Sequence, residues 1–133
     1  MSYIGKVYYY QSEENYDDFL KIFGLPDEEV EKLKNSKPSS QLVKEGDKYK
    51  YISTTEGEGS KETVFESGVP FFEVGPAGYP MRITYTVDGN TVSQLVQGDK
   101  GSAVFKREYN GDDLKVTITA RGWDGVAYRY YKA

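Results

Sequence analysis

Eight turn signals punctuate the chain from residue 45 onward, and their rhythm limits the fold more than any other feature. They read "EGD" (45–47), "EGEGS" (56–60), "SG" (67–68), "GPAGYP" (75–80), "DGN" (88–90), "GDKG" (98–101), "NGDD" (110–113) and "WDG" (123–125). Glycine, asparagine, aspartate and proline accept the backbone angles that tight turns demand. The runs between them are short and rich in β-branched and aromatic residues, with a spacing of mostly about ten residues from turn to turn. Parallel strands need a long crossover between them, and this stretch leaves no room for one. It therefore reads as an antiparallel meander, a barrel or a sandwich.

The N-terminal third reads differently. Val7 to Tyr10 forms a first strand. Tyr16, Phe19, Leu20 and Phe23 then fall at helical spacing on one apolar stripe. Ser12, Glu13 and Glu14 precede the stripe as an N-terminal cap region, and Gly24 ends the helix. Pro26 opens a second short helix with Asp27, Glu28 and Glu29 near its positive end, and Pro38 closes it.

With the first strand, the meander amounts to roughly ten strands in a chain of 133 residues, which suits one domain spanning 1–133. A helical pair followed only by hairpins cannot serve as a parallel crossover, so it covers a face or an open end. A sheet of this size curls or closes, because closure removes unpaired edges. A barrel so formed encloses more room than side chains fill, with the helical hairpin as its lid.

Composition narrows the function. The chain has neither histidine nor cysteine. The usual general base at neutral pH, thiol chemistry and the commonest metal ligands are therefore missing. No metal site or cofactor is expected, and an enzyme is the weakest of the readings. A formal net charge of −4 leaves no basic footprint for nucleic acid. The beginning, "MSYIGKVYYY", lacks a signal-peptide core, and no stretch has the length of a membrane span. A cytoplasmic location is the default expectation.

Strand parity then points inward. In "SAVFKREYN", Ala103, Phe105, Arg107 and Tyr109 share one face, and Ser102, Val104, Lys106 and Glu108 the other. Phe105 and Tyr109 suit the interior, so Arg107 goes inside with them. In "AYRYYKA", Ala127, Arg129 and Tyr131 share a face, but Tyr128 and Tyr130 lie opposite, and parity alone leaves that strand's orientation open. A buried arginine stays charged and is costly unless paired. Two readings follow: a site awaiting the head of a greasy anion, or an internal salt bridge to an Asp or Glu of the chain.

These residues resemble a known family, the intracellular lipid-binding proteins, which include the fatty-acid-binding proteins. Lys6, Tyr8, Asn15, Tyr16, Asp17, Phe19, Leu20 and Phe23 stand at the spacing of its N-terminal signature. "ENYDDFLKIFGL", "TVDGN", "FKREYNGDDLKV" and the ending "RYYKA" fit as well. The likeness covers essentially the whole chain, and "YNGDDLKVTITARGWDGVAYRYYKA" is most similar to insect gut members. The resemblance implies an all-β, lipocalin-like, ten-stranded antiparallel up-and-down barrel with a helix-turn-helix cap between strands one and two. It further implies an internal cavity that reversibly binds long-chain fatty acids. The family's carboxylate-binding arginine and tyrosine map onto Arg129 and Tyr131, and its other cavity arginine onto Arg107.

Departures from the pattern are local. Tyr10 replaces an aliphatic residue, and residues 119–129 are about two longer than in vertebrate members. Ser40 holds a slot that points into the cavity in relatives, whereas Gln41 points the other way.

The expected carrier is a monomer. It holds a fatty acid or a similar hydrophobic carboxylate on Arg129, Tyr131 and Arg107, with Tyr16, Phe19, Ser40 and Phe105 along the cavity or its portal. The alternative is the same fold around a retinoid, bile acid or pigment. Asp112 and Asp113 read as turn residues, Trp123 as turn-adjacent packing, and Arg121 as lying by the turn. Lys21, Lys32, Lys34 and Lys37 read first as a solvated face of the cap, and second as an aid to transient contact with anionic membranes.

Overall fold

The computed structural model describes residues 2–75 and 78–133. Ten strands and two helices follow in order: β1 (Val7–Glu14), α1 (Tyr16–Lys21), α2 (Asp27–Asn35), β2 (Ser39–Glu45), β3 (Lys48–Thr55), β4 (Gly59–Phe65), β5 (Phe71–Val74), β6 (Pro80–Asp88), β7 (Thr91–Gly98), β8 (Gly101–Asn110), β9 (Asp113–Ala120) and β10 (Ala127–Lys132). The sheet order is β4-β3-β2-β1-β10-β9-β8-β7-β6-β5, antiparallel at each pairing. Each strand pairs with its chain neighbour except at the step from β4 to β5, and the first pairs with the last. The chain thus forms the nearly closed, all-β, capped barrel that its turn rhythm implies. The seam lies between β4 and β5, which share no ladder among the described residues. Residues 76 and 77 of the expected 75–80 turn lie outside the described residues.

One expectation needs correcting. Ser12, Glu13 and Glu14 do not cap a helix; they continue β1 to Glu14. The reversal into α1 falls on Asn15 alone, at φ 58 and ψ 15, a left-handed conformation that asparagine tolerates better than most residues. No side chain caps α1. Instead the Asn15 amide donates to the Val126 carbonyl at 3.1 Å, tying the reversal to the start of β10.

β1 also carries a bulge. Tyr10 faces Tyr131 and Ser12 faces Tyr130, so Gln11 is an extra residue without a partner on β10. An inserted residue switches the alternation of a strand. Tyr8 and Tyr10 look inward before the bulge, and Glu13 looks inward after it, directly opposite Arg129.

The helices sit over the end of the barrel where β1 finishes and β10 begins. Phe19 is their anchor, with ring centroids 5.2 Å from Phe23, 5.6 Å from Phe105 and 6.0 Å from Trp123. Gly125 lets the Trp123 ring lie close, because a Cβ there would collide with it. Tyr16 and Leu20 are buried beside Phe19, whereas α2 buries no residue fully. Neither helix is long and apolar enough to cross a membrane.

The opposite end is plugged by tyrosines. Tyr3 stacks on Tyr109 at 4.1 Å, and Tyr8 meets the same ring edge-on at 5.2 Å. Their hydroxyls find acceptors: Tyr3 donates to the Gly89 carbonyl at 2.9 Å and Tyr8 to the Gly111 carbonyl at 2.8 Å. Each ring contributes apolar area while its polar tip is satisfied at the rim.

Candidate functional site

The inward faces of β8 and β10 build the site. On β8, Ala103, Arg107 and Tyr109 are buried and Phe105 is half-buried, while Lys106 is exposed. On β10, Ala127 and Arg129 are buried and Tyr131 is half-buried. Tyr128 and Tyr130 stack on each other on the opposite face at 6.2 Å, with the Lys115 ammonium 4.9 Å from the Tyr128 ring. That outer stack explains why parity was ambiguous there: both faces of β10 carry aromatics, one set packed on the barrel exterior.

Among the described residues, an apolar and a polar cavity lie side by side in the interior. The apolar one, of about 240 Å³, lies under the cap, against Phe19, Leu20, Phe23, Leu33, Met81 and Val96. The polar one, of about 250 Å³, lies deeper, against Tyr51, Tyr85, Arg107, Arg129 and Tyr131. Tyr16, Gln94 and Phe105 border both, so the two chambers share a wall.

Arg107 is 8% exposed, and its charge has no carboxylate partner among the described residues. Its Nη2 donates to Gln94 Oε1 at 2.9 Å. Its Nη1 is buried with no hydrogen-bond partner among the described residues. The guanidinium lies 4.9 Å from the Tyr51 ring and 5.8 Å from the Tyr85 ring. Burial opposes the charge, but the phenols of Tyr51, Tyr85 and Tyr109 outweigh it, and Arg107 is held protonated above its ordinary range. A buried donor without an acceptor is a standing penalty that a suitable ligand relieves.

Arg129 stands in contrast. Its Nε and Nη2 donate to Glu13 Oε1 at 3.2 and 3.1 Å, and Nη2 also donates to the Ser36 carbonyl at 2.8 Å. Ser36 is the residue that ends α2. Tyr16 and Tyr10 sandwich the guanidinium at 4.2 and 5.0 Å, and the Tyr10 hydroxyl donates to the same Glu13 oxygen at 3.0 Å. The two readings left open for a buried arginine are thus divided: Arg129 has an internal carboxylate, and Arg107 does not.

Four interior tyrosines are poor acids. Burial pushes the phenol of Tyr131 up to about 12, and pushes Tyr16, Tyr85 and Tyr109 upward as well.

Among the remaining sequence candidates, Tyr16 and Phe105 border both chambers and Phe19 the apolar one. Ser40 is buried with its hydroxyl unpartnered among the described residues, but it borders neither chamber. Gln41 lies on the other face and donates to the Gly5 carbonyl at 2.8 Å. Arg121 is exposed in the turn after β9, and Trp123, two residues on, packs against the core beside Phe19.

Sequence reasoning assigned none of Glu13, Gln94, Tyr51, Tyr85, Lys61 and Glu73 to the site; the last five border the deeper chamber, Lys61 at its exposed edge, and Glu13 stands opposite Arg129. Gln94 and Tyr85 carried a signal, since they alternate with Val92 and Val96, and with Ile83 and Val87.

A capped ten-stranded antiparallel barrel, with an apolar chamber leading to a cationic one, defines a class of cavity-bearing binding proteins. The family model described as lipocalin / cytosolic fatty-acid binding protein family matches residues 1–109. Fatty acid-binding protein 1 of Manduca sexta is 65% identical over 133 residues, covering all of both chains. The solved structure of a fatty-acid-binding protein isolated from Manduca sexta superposes with a TM-score of 0.92 at 52% identity, covering 99% of this chain and 100% of that one. A fatty acid-binding protein from brain tissue of Drosophila melanogaster superposes at 0.87 with 28% identity, covering 99% and 100%. The chain belongs to the lipocalin / cytosolic fatty-acid binding protein family and is similar to its insect members.

Proposed function

We propose that this protein is a non-catalytic carrier that reversibly binds a long-chain fatty acid, working as a monomer in the cytoplasm. The observation that carries this reading is Arg107: a buried cation with an unpartnered N–H, in a chamber that shares a wall with an apolar cavity. The tail lies under the cap against Phe19, Tyr16 and Phe105. The carboxylate lies in the deeper chamber, met by Arg107, with Tyr131 and Arg129 in the same lining.

The magnitudes suit the assignment. Burying an alkyl chain yields about 0.8 kcal/mol per methylene. A chain of roughly sixteen carbons then supports micromolar affinity, about −8 kcal/mol, after ordering costs. The charge adds orientation and head-group preference.

The names of the relatives favour a fatty acid over a retinoid, bile acid or pigment. Catalysis lacks candidates: the chain has no histidine or cysteine, and the phenols of Tyr16, Tyr85, Tyr109 and Tyr131 are held protonated. Transient docking of the cap on anionic membranes has fewer lysines behind it than the sequence offers. Lys34 pairs with Asp17 at 3.2 Å, and Lys37 lies over the Tyr10 ring at 5.4 Å.

Native mass spectrometry of the purified protein, with calorimetric titration of palmitate and hexadecanol, tests the reading. A co-purified or titratable fatty acid at one equivalent, preferred over the alcohol, supports it. Failure of any long-chain acid to bind overturns it.

A further inference from the structure

The charged groups of the deep chamber pair off unequally. Lys61 and Glu73 lie 3.1 Å apart, and Arg129 and Glu13 lie 3.1 Å apart. That leaves Arg107, whose polar partner is the neutral Gln94 and whose Nη1 has no partner among the described residues. Glu13 reaches its position through the bulge at Gln11, which turns the strand so that the glutamate looks inward against β10. Were Gln11 laddered against Tyr130 in regular register, Ser12 would face Arg129.

We propose that Glu13 is a specificity-determining residue: an internal carboxylate that occupies Arg129 and so confines the ligand's head group to Arg107. The inference rests on the carrier reading and deepens it. A carboxylate approaching Arg129 must displace Glu13, the Tyr10 hydroxyl bonded to the same oxygen, and an arrangement that also holds the Ser36 carbonyl at the end of α2. A carboxylate approaching Arg107 displaces no charged group and satisfies an orphaned donor. Both guanidinium groups are caged by two tyrosine rings, so the aromatic surroundings do not separate them. The counter-ion does. Arg129 thereby becomes a positioning residue that fastens the cap, and the chamber presents one uncompensated cation, suited to a single monoanionic head.

The test compares palmitate with hexadecanol binding in three variants by calorimetry, with circular dichroism to confirm folding. Arg107→Gln is expected to lower the acid-over-alcohol preference at least tenfold. Adding Glu13→Gln to it frees Arg129, and the double variant is expected to regain most of that preference. Glu13→Gln alone, loaded with carboxyl-labelled ¹³C-palmitate, is expected to show a carboxyl resonance that the unaltered protein lacks, from a head group on Arg129. The proposal is overturned if Arg107→Gln keeps its acid preference, since Arg129 then holds the head despite Glu13. It is overturned equally if the folded double variant regains nothing. Should the double variant not fold, an unchanged carboxyl spectrum in Glu13→Gln overturns it. If the unaltered protein binds neither acid nor alcohol, the carrier reading itself has failed.

Discussion

Lys61 of β4 and Glu73 of β5 meet across the one seam that the barrel leaves unladdered, Nζ to carboxylate at 3.1 Å. The pair is the polar counterpart of a missing strand contact, and it borders the deep chamber. The Lys61 side chain is 63% exposed, so solvent weakens the attraction. Glu73→Gln is expected to change stability in urea by less than about 1 kcal/mol. In hydrogen exchange, the seam-facing amides of β4 and β5 should open well before those of β8 and β9, which are laddered on both sides.

The two buried arginines predict opposite responses to the same substitution. Arg129→Gln breaks a pair and leaves Glu13 without its cation, so the apo protein should lose about 2–4 kcal/mol. Arg107→Gln removes a buried charge that no carboxylate among the described residues compensates. Apo stability should then hold or rise, by about 1 kcal/mol, while fatty-acid binding falls. Urea denaturation of both variants without ligand checks the sign. Loss of stability in both would mean that Arg107 has a compensating partner.

Alkaline pH should unfold this protein through its interior phenols. The Tyr131 phenol titrates near 12 in the fold, against an ordinary value of 10.0. Burial raises Tyr16, Tyr85 and Tyr109 too. In each case the folded state holds a proton that the unfolded chain releases sooner. The stabilisation is fully present below pH 10 and is lost as pH climbs from 10 toward 12 and beyond. Thermal melts should therefore be flat in these groups up to about pH 9 and fall steeply above 10. Absorbance at the phenolate band should show the phenols of Tyr16, Tyr85, Tyr109 and Tyr131 still protonated as pH passes 10.

How far the sequence disclosed this arrangement differs from residue to residue. The barrel was legible because turns and alternation are local, and a strand's parity follows from its neighbours. Arg107 was legible for that reason, sitting between Phe105 and Tyr109 on one face. Glu13 was hidden because a bulge at Gln11 resets the parity, and a bulge belongs to a pair of strands rather than to one. The same carboxylate beside Ser12 and ahead of a helical stripe imitates a capping sequence. The lack of a β4–β5 ladder was hidden too, because each strand looks complete by itself. Ser40 shows the limit of parity: it faces inward as expected, yet inward is not the same as bordering a chamber.

Phe19 should couple the cap to the rest of the fold. Its ring touches Phe23 within the cap, Phe105 on the barrel wall and Trp123 in the loop before β10. Removing it takes away a large buried apolar surface and leaves a hole beside a cavity that already exists. A hole open to existing space cannot collapse well, so Phe19→Ala should cost about 3–5 kcal/mol. Trp123 is the single tryptophan of the chain, which makes the consequence visible. Its emission should shift to the red in Phe19→Ala as the packing around the indole loosens. In the unaltered protein, an alkyl tail under the cap should alter the same emission through Phe19, and that response should weaken in the variant. An unchanged spectrum together with unchanged stability would mean that the cap does not depend on this ring, and that the tail lies elsewhere.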